Sequence, residues 1–264
     1  MAWLAAFEQG RHEAIPQRKR RKMMRKCTLL AFALVLGLCA TAAVAVTNGD
    51  FESGTAGWSN GIAPTSNLSA TAFTSLYGIS AYSGSSLGIG RTGTSFSGRQ
   101  ANWMSQNIAV TPGTTYNVTV SGKWLAYFSD PGDGWAYSAE VALFNGAGTT
   151  NHDSSPDNWD AAHGAIVHSN RWNNDEDEQG NCGTWVDFTM TGTFTASAGF
   201  VELRLGSNDN RDLSPDDDFP SGRSELAAFD NLQVSLSQVP EPGSIVCLLS
   251  GFVGLVGFGI RRRR

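Results

Sequence analysis

Apolar and polar residues alternate along most of the chain with a period of two, the spacing of a half-buried strand. Ala101 to Val110 reads as a strand. Thr111-Pro112-Gly113-Thr114 follows, with Pro second and Gly third, as a type II turn prefers. Tyr116 to Tyr127 places Tyr116, Val118, Val120, Gly122 and Trp124 on one face. Tyr137 to Phe144 alternates Tyr137, Ala139, Val141 and Leu143. Trp185 to Phe194 and Phe200 to Leu205 form two more strands around Ala196-Ser197-Ala198-Gly199. Ala228 to Leu236 is the last, with Phe229, Asn231, Gln233 and Ser235 opposite Asp230, Leu232, Val234 and Leu236. Many short strands with regular turns predict an all-β antiparallel sandwich. The stretches 145–183 and 206–225 read as long connections.

The pattern changes at both ends. Leu29 to Leu38 is an apolar core after Arg18-Lys19-Arg20-Arg21-Lys22 and Arg25-Lys26, and Ala43-Val44-Ala45 follows it. Basic, apolar, then small-x-small is the layout of a secretory signal peptide, with Ala43 and Ala45 setting cleavage after Ala45. At the other end Val239-Pro240-Glu241-Pro242 blocks regular structure with two prolines. Ser244 to Ile260 is then 17 residues without charge. A helix of that length covers roughly 26 Å, the short end of a bilayer span. Arg261, Arg262, Arg263 and Arg264 stop transfer and stay in the cytoplasm by the positive-inside rule. The predicted organisation is a leader over 1–45, a sandwich over 46–237 and a tail over 238–264. A signal helix and a transmembrane helix thus flank the β-domain.

Pro-Glu-Pro, a short apolar helix and a terminal arginine cluster, in that order, resemble the PEP-CTERM protein-sorting signal of Gram-negative bacteria. The resemblance implies recognition by an exosortase, a membrane enzyme resembling cysteine transpeptidases. It implies removal of the helix after transient anchoring, and delivery to the cell surface or extracellular matrix. A plain C-terminal anchor is the alternative.

Charge sharpens the picture of the sandwich. Between 46 and 237 seven Lys and Arg stand against 21 Asp and Glu, a net charge of about −14. Such a domain repels nucleic acid and anionic membrane surfaces and suits divalent cations or neutral partners. Of the four cysteines, Cys27 and Cys39 fall in the leader and Cys247 in the tail helix. Cys182 alone remains between them, so no disulfide forms within the sandwich.

Thr47-Asn48-Gly49-Asp50-Phe51-Glu52 with Gly57-Trp58, then Thr111 to Tyr116, then Ala228-Phe229-Asp230-Asn231-Leu232-Gln233-Val234 resemble, in this order, the galactose-binding-like jelly roll of carbohydrate-binding modules. That resemblance implies a jelly-roll sandwich whose first and last strands lie together, often around a structural calcium. Asp50, Glu52 and Asp230 are the carboxylates to supply it, with backbone carbonyls completing the shell. On a strand Asp50 and Glu52 would share a face. A glycan site needs aromatic planes beside amides and carboxylates. Trp124, Tyr127, Trp135, Tyr137, Trp159 and Trp172 are its candidates, whereas Trp58, Trp103 and Trp185 read as core.

Signals for catalysis are absent. His152, His163 and His168 lie among Asp153, Asp157 and Asp160 without a zinc-ligand spacing. No nucleophile elbow, phosphate loop or dinucleotide fingerprint occurs. The reading is an exported, non-enzymatic surface protein with a structural or adhesive role. A carbohydrate-binding module for an extracellular polysaccharide is the alternative, and a glycoside hydrolase a third.

Overall fold

The structure, a computed structural model, describes residues 46–62, 68–92, 101–129, 135–148, 159, 164–173, 183–211, 224–240 and 250–251. The leader with Ala43 and Ala45, Cys182, and Glu241, Pro242 and Arg261 to Arg264 of the tail lie outside the described residues. Among the described residues no helix is long and apolar enough to cross a membrane.

The strands are β1 (Ser59–Ile62), β2 (Ser69–Phe73), β3 (Ser75–Leu76), β4 (Ile79–Ser80), β5 (Ser86–Thr92), β6 (Ala101–Ala109), β7 (Thr115–Phe128), β8 (Trp135–Phe144), β9 (Ala165–Asn173), β10 (Val186–Thr195), β11 (Phe200–Arg211) and β12 (Ser224–Gln238). One five-stranded sheet has the order β1-β6-β11-β8-β9 and a second the order β10-β7-β12-β5-β2. A hairpin of β3 and β4 stands apart. Every pairing is antiparallel. The result is the all-β antiparallel sandwich that the alternation predicts, in the jelly-roll form that the resemblance implies.

Alternation explains the core. Val118, Val120 and Trp124 of β7 share one interior with Met104 and Ile108 of β6, Val141 and Leu143 of β8, and Val201, Leu203 and Leu205 of β11. Each such side chain stabilises the fold by about 1.5–3 kcal/mol on burial, more than a typical neutral hydrogen bond. One polar bridge also crosses this interior. The Tyr137 hydroxyl on the first sheet donates to the Ile89 carbonyl on the second at 2.9 Å, with the tyrosine buried. The Pro112–Gly113 turn forms as expected, with Gly113 at φ 79° and Thr114 N–H donating to Thr111 O at 3.2 Å.

Three strand predictions need correction. The stretch 145–183 contains β9, whose sequence AIVHSNRWN is too polar to show a clean period. β11 runs on to Arg211 and β12 starts at Ser224, so the connection after Leu205 is shorter than predicted. The alternation of the last strand breaks as well. Phe229 is buried, and so are Leu232, Val234 and Leu236, which strict alternation puts on the opposite face. The register against β7 slips between Asp230 and Gln233, where a β-bulge inserts one residue and reverses the facing. Asn231 takes φ 51° there, a conformation asparagine tolerates better than most residues. Gly122 on β7 makes room, since a Cβ there would lie 2.8 Å from Leu232 Cδ2.

Replacing Tyr137 by Phe removes the only hydroxyl on that ring and leaves the Ile89 carbonyl without this donor. The expected cost is about 1 kcal/mol. It reads as a lower urea midpoint at unchanged slope. An unshifted midpoint would show that the bridge contributes nothing.

Candidate functional site

The outer face of the first sheet is unusually polar for a buried surface. Residues that alternate with the core on β6, β8 and β11 point outward here: Trp103, Ser105 and Asn107, then Ser138, Glu140 and Phe144, then Phe200, Glu202 and Arg204. The Arg204 guanidinium lies 5.3 Å from the Trp103 ring centre and 4.9 Å from that of Phe144. Its Nη2 donates to Glu202 Oε2 at 3.0 Å. Glu140 is fully buried and accepts from Ser138 Oγ at 2.9 Å. His168 Nε2 stands 3.9 Å from the other Glu140 oxygen. The Trp159 indole covers Gly206, where a Cβ would fall 2.2 Å from the ring. The middle of this face is therefore filled by the chain's own side chains.

The edge of the face stays open as a groove of about 560 Å³, within the usual range for small-molecule sites. Thr47, Gly57, Ser59, Ser105, Gln106, Asn107, Ala147, Phe200 and Glu202 line it. Cross-strand register builds the wall, with Ser59 opposite Ser105 and Asn107 opposite Glu202. Gln106 holds the rim. Its Nε2 donates to Thr47 O at 3.0 Å and Gly57 O at 3.1 Å, and its Oε1 accepts from Thr47 N at 2.8 Å. Glu202 Oε2 also accepts from Gly148 N at 2.6 Å. One carboxylate oxygen is thus fixed by two donors, and Oε1 remains as an acceptor of set orientation. Phe200, half-buried, offers an aromatic surface beside an amide, three hydroxyls and that carboxylate.

The second constellation joins the two ends of the sandwich. Residues 47–57 form consecutive turns, so the expected strand through Asp50 and Glu52 is a correction. Asn48 ties the turn, its Oδ1 accepting from Ser53 N at 3.0 Å and its Nδ2 donating to Gly54 O at 2.8 Å. Phe51 is fully buried at φ 53°, a strained backbone that its packing must hold. Glu52 reaches the turn before β5, where its Oε1 accepts from Ser85 N at 3.0 Å. Gly84 has φ 53°, and a Cβ on it would collide with that carboxylate. Asp230 reaches the same turn from β12. It accepts from Ser86 Oγ at 2.8 Å, Ser83 N at 3.2 Å and Asn231 N at 2.6 Å. Burial pushes its carboxyl above the usual range, the three donors oppose that, and the nearby Glu52 charge adds to it. Asp50 remains exposed and caps its own turn, accepting from Glu52 N at 3.4 Å. The structure thus brings Glu52 and Asp230 together and leaves Asp50 aside. Among the described residues no group of three or more His, Cys, Asp or Glu is arranged to hold a metal. Two carboxylates with backbone oxygens still match the donor type that calcium takes.

The aromatic candidates divide. Trp124 is 6% exposed, its ring centre 5.0 Å from that of Phe188. Trp159 is fully buried and Tyr137 nearly so. These three are core residues, and their rings offer no plane to a ligand. Tyr127 is half-buried on the outer face of the second sheet. Trp135 and Trp172 have backbones in β8 and β9, but their side chains lie outside the described residues. Trp58 and Trp103 are buried as expected, whereas Trp185 is partly exposed. Trp185 donates to Ser80 O at 3.1 Å and meets Tyr82 edge-on at 5.9 Å. Aromatic size drew the sequence reading to tryptophans and away from Phe200, Ser105, Asn107 and Glu202. Alternation with Val201, Leu203 and Leu205 marks Phe200 and Glu202 as outward-facing. Nothing local marks Asn107 as the partner of Glu202.

Asp230 gives a pH test. Its folded carboxyl holds a proton more readily than an unfolded one, so the native state binds more protons in that window. In chelator, stability should fall as pH rises from the ordinary carboxylate range through the raised value, and then level. Asp230→Asn should flatten that descent in denaturant midpoints taken across pH. An identical slope in the variant would remove Asp230 as its source.

Residues 238–264 match the family model described as the PEP-CTERM protein-sorting motif. No curated protein matches the sequence. Among solved structures, TmCBM61 in complex with β-1,4-galactotriose is similar at 11% identity over 74% of this chain and 98% of that one, with a TM-score of 0.38. The CBM22-1 xylan-binding domain from Paenibacillus barcinonensis Xyn10C is similar at 15% identity over 76% and 99%, with a TM-score of 0.38. The K1 cleaved adhesin domain of Lys-gingipain from Porphyromonas gingivalis W83 is similar at 14% identity over 72% and 96%, again with a TM-score of 0.38. The chain thus ends in a PEP-CTERM sorting motif, which implies export, processing by an exosortase and sorting to the cell surface.

Proposed function

We propose that this is an adhesive surface protein whose sandwich binds a neutral extracellular polysaccharide in the groove beside Phe200. The leader 1–45 takes the chain across the inner membrane. The helix 244–260 and Arg261 to Arg264 anchor it until the tail is removed near Pro240 to Pro242. The mature sandwich, 46–237, then stays at the surface or in the extracellular matrix.

The observation that carries the glycan reading is the groove's composition. A pyranose ring has a C–H face, which suits Phe200, and a rim of hydroxyls, which suits Asn107, Ser59, Ser105 and the free acceptor of Glu202. A net charge of about −14 over the sandwich favours a neutral sugar over a uronate. Hydrolysis by the usual route needs two carboxylates flanking one bond, and Glu202 is the one acid among the described lining residues. Its fixed bonds to Gly148 and Arg204 favour a positioning role. A non-enzymatic role is therefore the better supported reading.

A structural calcium between Glu52 and Asp230 belongs to the same proposal. It would offset the two like charges that converge on the turn 83–86. Its role would be to hold the opening turns against β12.

The exported protein should bind selected neutral glycans on an array in saturable fashion. Phe200→Ala and Asn107→Ala should each weaken that binding about tenfold, roughly 1.4 kcal/mol. Both sites lie outside the core, so thermal melts should change little. Binding untouched by both changes would put the ligand elsewhere, and no binding to any glycan would return the sandwich to a purely structural role.

A further inference from the structure

The last strand and the sorting motif meet without a spacer. β12 ends at Gln238, and Val239 N–H still donates to Thr115 O of β7 at 2.8 Å. Pro240 is the next residue and opens the Pro-Glu-Pro motif. From Pro240 to Ser244, where the uncharged run starts, an extended chain reaches at most about 18 Å. A folded sandwich and a membrane-inserted helix would therefore be joined by a very short tether.

An enzyme that cuts a peptide takes its substrate extended and bonds to the backbone around the scissile bond. Backbone on the sandwich side of Pro240 is already bonded to β7. The Val239 N–H has one proton to donate and Thr115 O holds it. We propose that Ser237 to Val239 must unzip from β7 before the sorting enzyme cuts, so that fraying of the sandwich's last strand gates removal of the tail. This rests on the sorting reading above. Cleavage breaks one peptide C–N bond. The acyl carbon passes to water or to a primary amine, and the leaving nitrogen takes a proton.

Three features make such fraying local. Pairing of β12 with β5 ends at Phe229, so beyond the bulge, among the described residues, β12 is paired with β7 alone. Leu236 is the last fully packed anchor, 3% exposed. Ser237 and Val239 are half-buried, and Gln238 and Pro240 are exposed. Opening therefore stops at Leu236 and leaves the core intact. When opening is fast compared with cutting, the rate follows the open population.

The test uses the full chain in cells that hold the sorting enzyme, following loss of the full-length band after a pulse of synthesis. Gly-Ser-Gly-Ser inserted between Gln238 and Val239 should speed tail removal at least threefold. The same insert between Gly243 and Ser244 lengthens the tether without freeing the strand and should give no acceleration. Equal acceleration by both inserts, or none by the first, would overturn the gate. If the unaltered chain never loses its tail, the sorting reading itself fails and takes the gate with it.

Discussion

The pairing of β12 with β7 is the contact on which the rest of the structure depends. These two strands form the middle of the second sheet, and their inward residues meet the first sheet across the core. The bulge at Asp230 to Gln233 divides β12 into two halves with different tasks. Before it, Leu226 to Phe229 are wedged between β5 and β7 and fully buried. At it, Leu232 N–H donates to Gly49 O at 2.9 Å, which ties the opening turns to the closing strand. A Cβ on Gly49 would lie 2.4 Å from the Leu232 carbonyl oxygen, so only glycine permits this approach. After it, Val234 and Leu236 re-enter the core, and among the described residues the strand pairs only with β7. A single inserted residue therefore reverses the facing of the strand after Asp230, at the point where the first turns are bonded to it.

Function on this scaffold is a matter of what the chain leaves uncovered. The centre of the first sheet's outer face is occupied by Trp159, Trp103 and Arg204. Their mutual packing covers the middle of that face. What remains is the edge groove, where side chains are smaller and hydrogen-bonding groups face solvent. Hydrogen bonds to backbone hold the Gln106 amide and one Glu202 oxygen in fixed positions at the groove. Such preorganisation lowers the ordering cost of binding.

Much of this architecture was legible in the chain's alternation. The inward residues of β7 and β8 follow it without exception from Tyr116 to Trp124 and from Tyr137 to Leu143. It failed at the bulge, because an inserted residue leaves no mark in a period of two. It failed at β9, because that strand is held by β8 along one flank and needs few apolar residues. Trp159 was misplaced for a different reason. Its polar neighbours suggest an exposed ring, yet Gly206, distant in sequence, provides the flat floor that buries it. Asp50, Glu52 and Asp230 were named together as calcium carboxylates; Glu52 and Asp230 reach the same turn, whereas Asp50 stays exposed because the expected strand there is a run of turns. Sorting motifs are read by order and composition, so the tail needed no fold to be recognised.

The central claim is that β12 is tightly held up to Leu236 and loosely held beyond it, where the tail begins. Native-state amide hydrogen exchange measures this residue by residue. The account predicts slow exchange at Ser235, near the rate set by global unfolding, and exchange at least tenfold faster at Val239 despite its bond to Thr115. Equal, slow exchange at Ser235 and Val239 would show that the strand is clamped to its end, and would contradict the account.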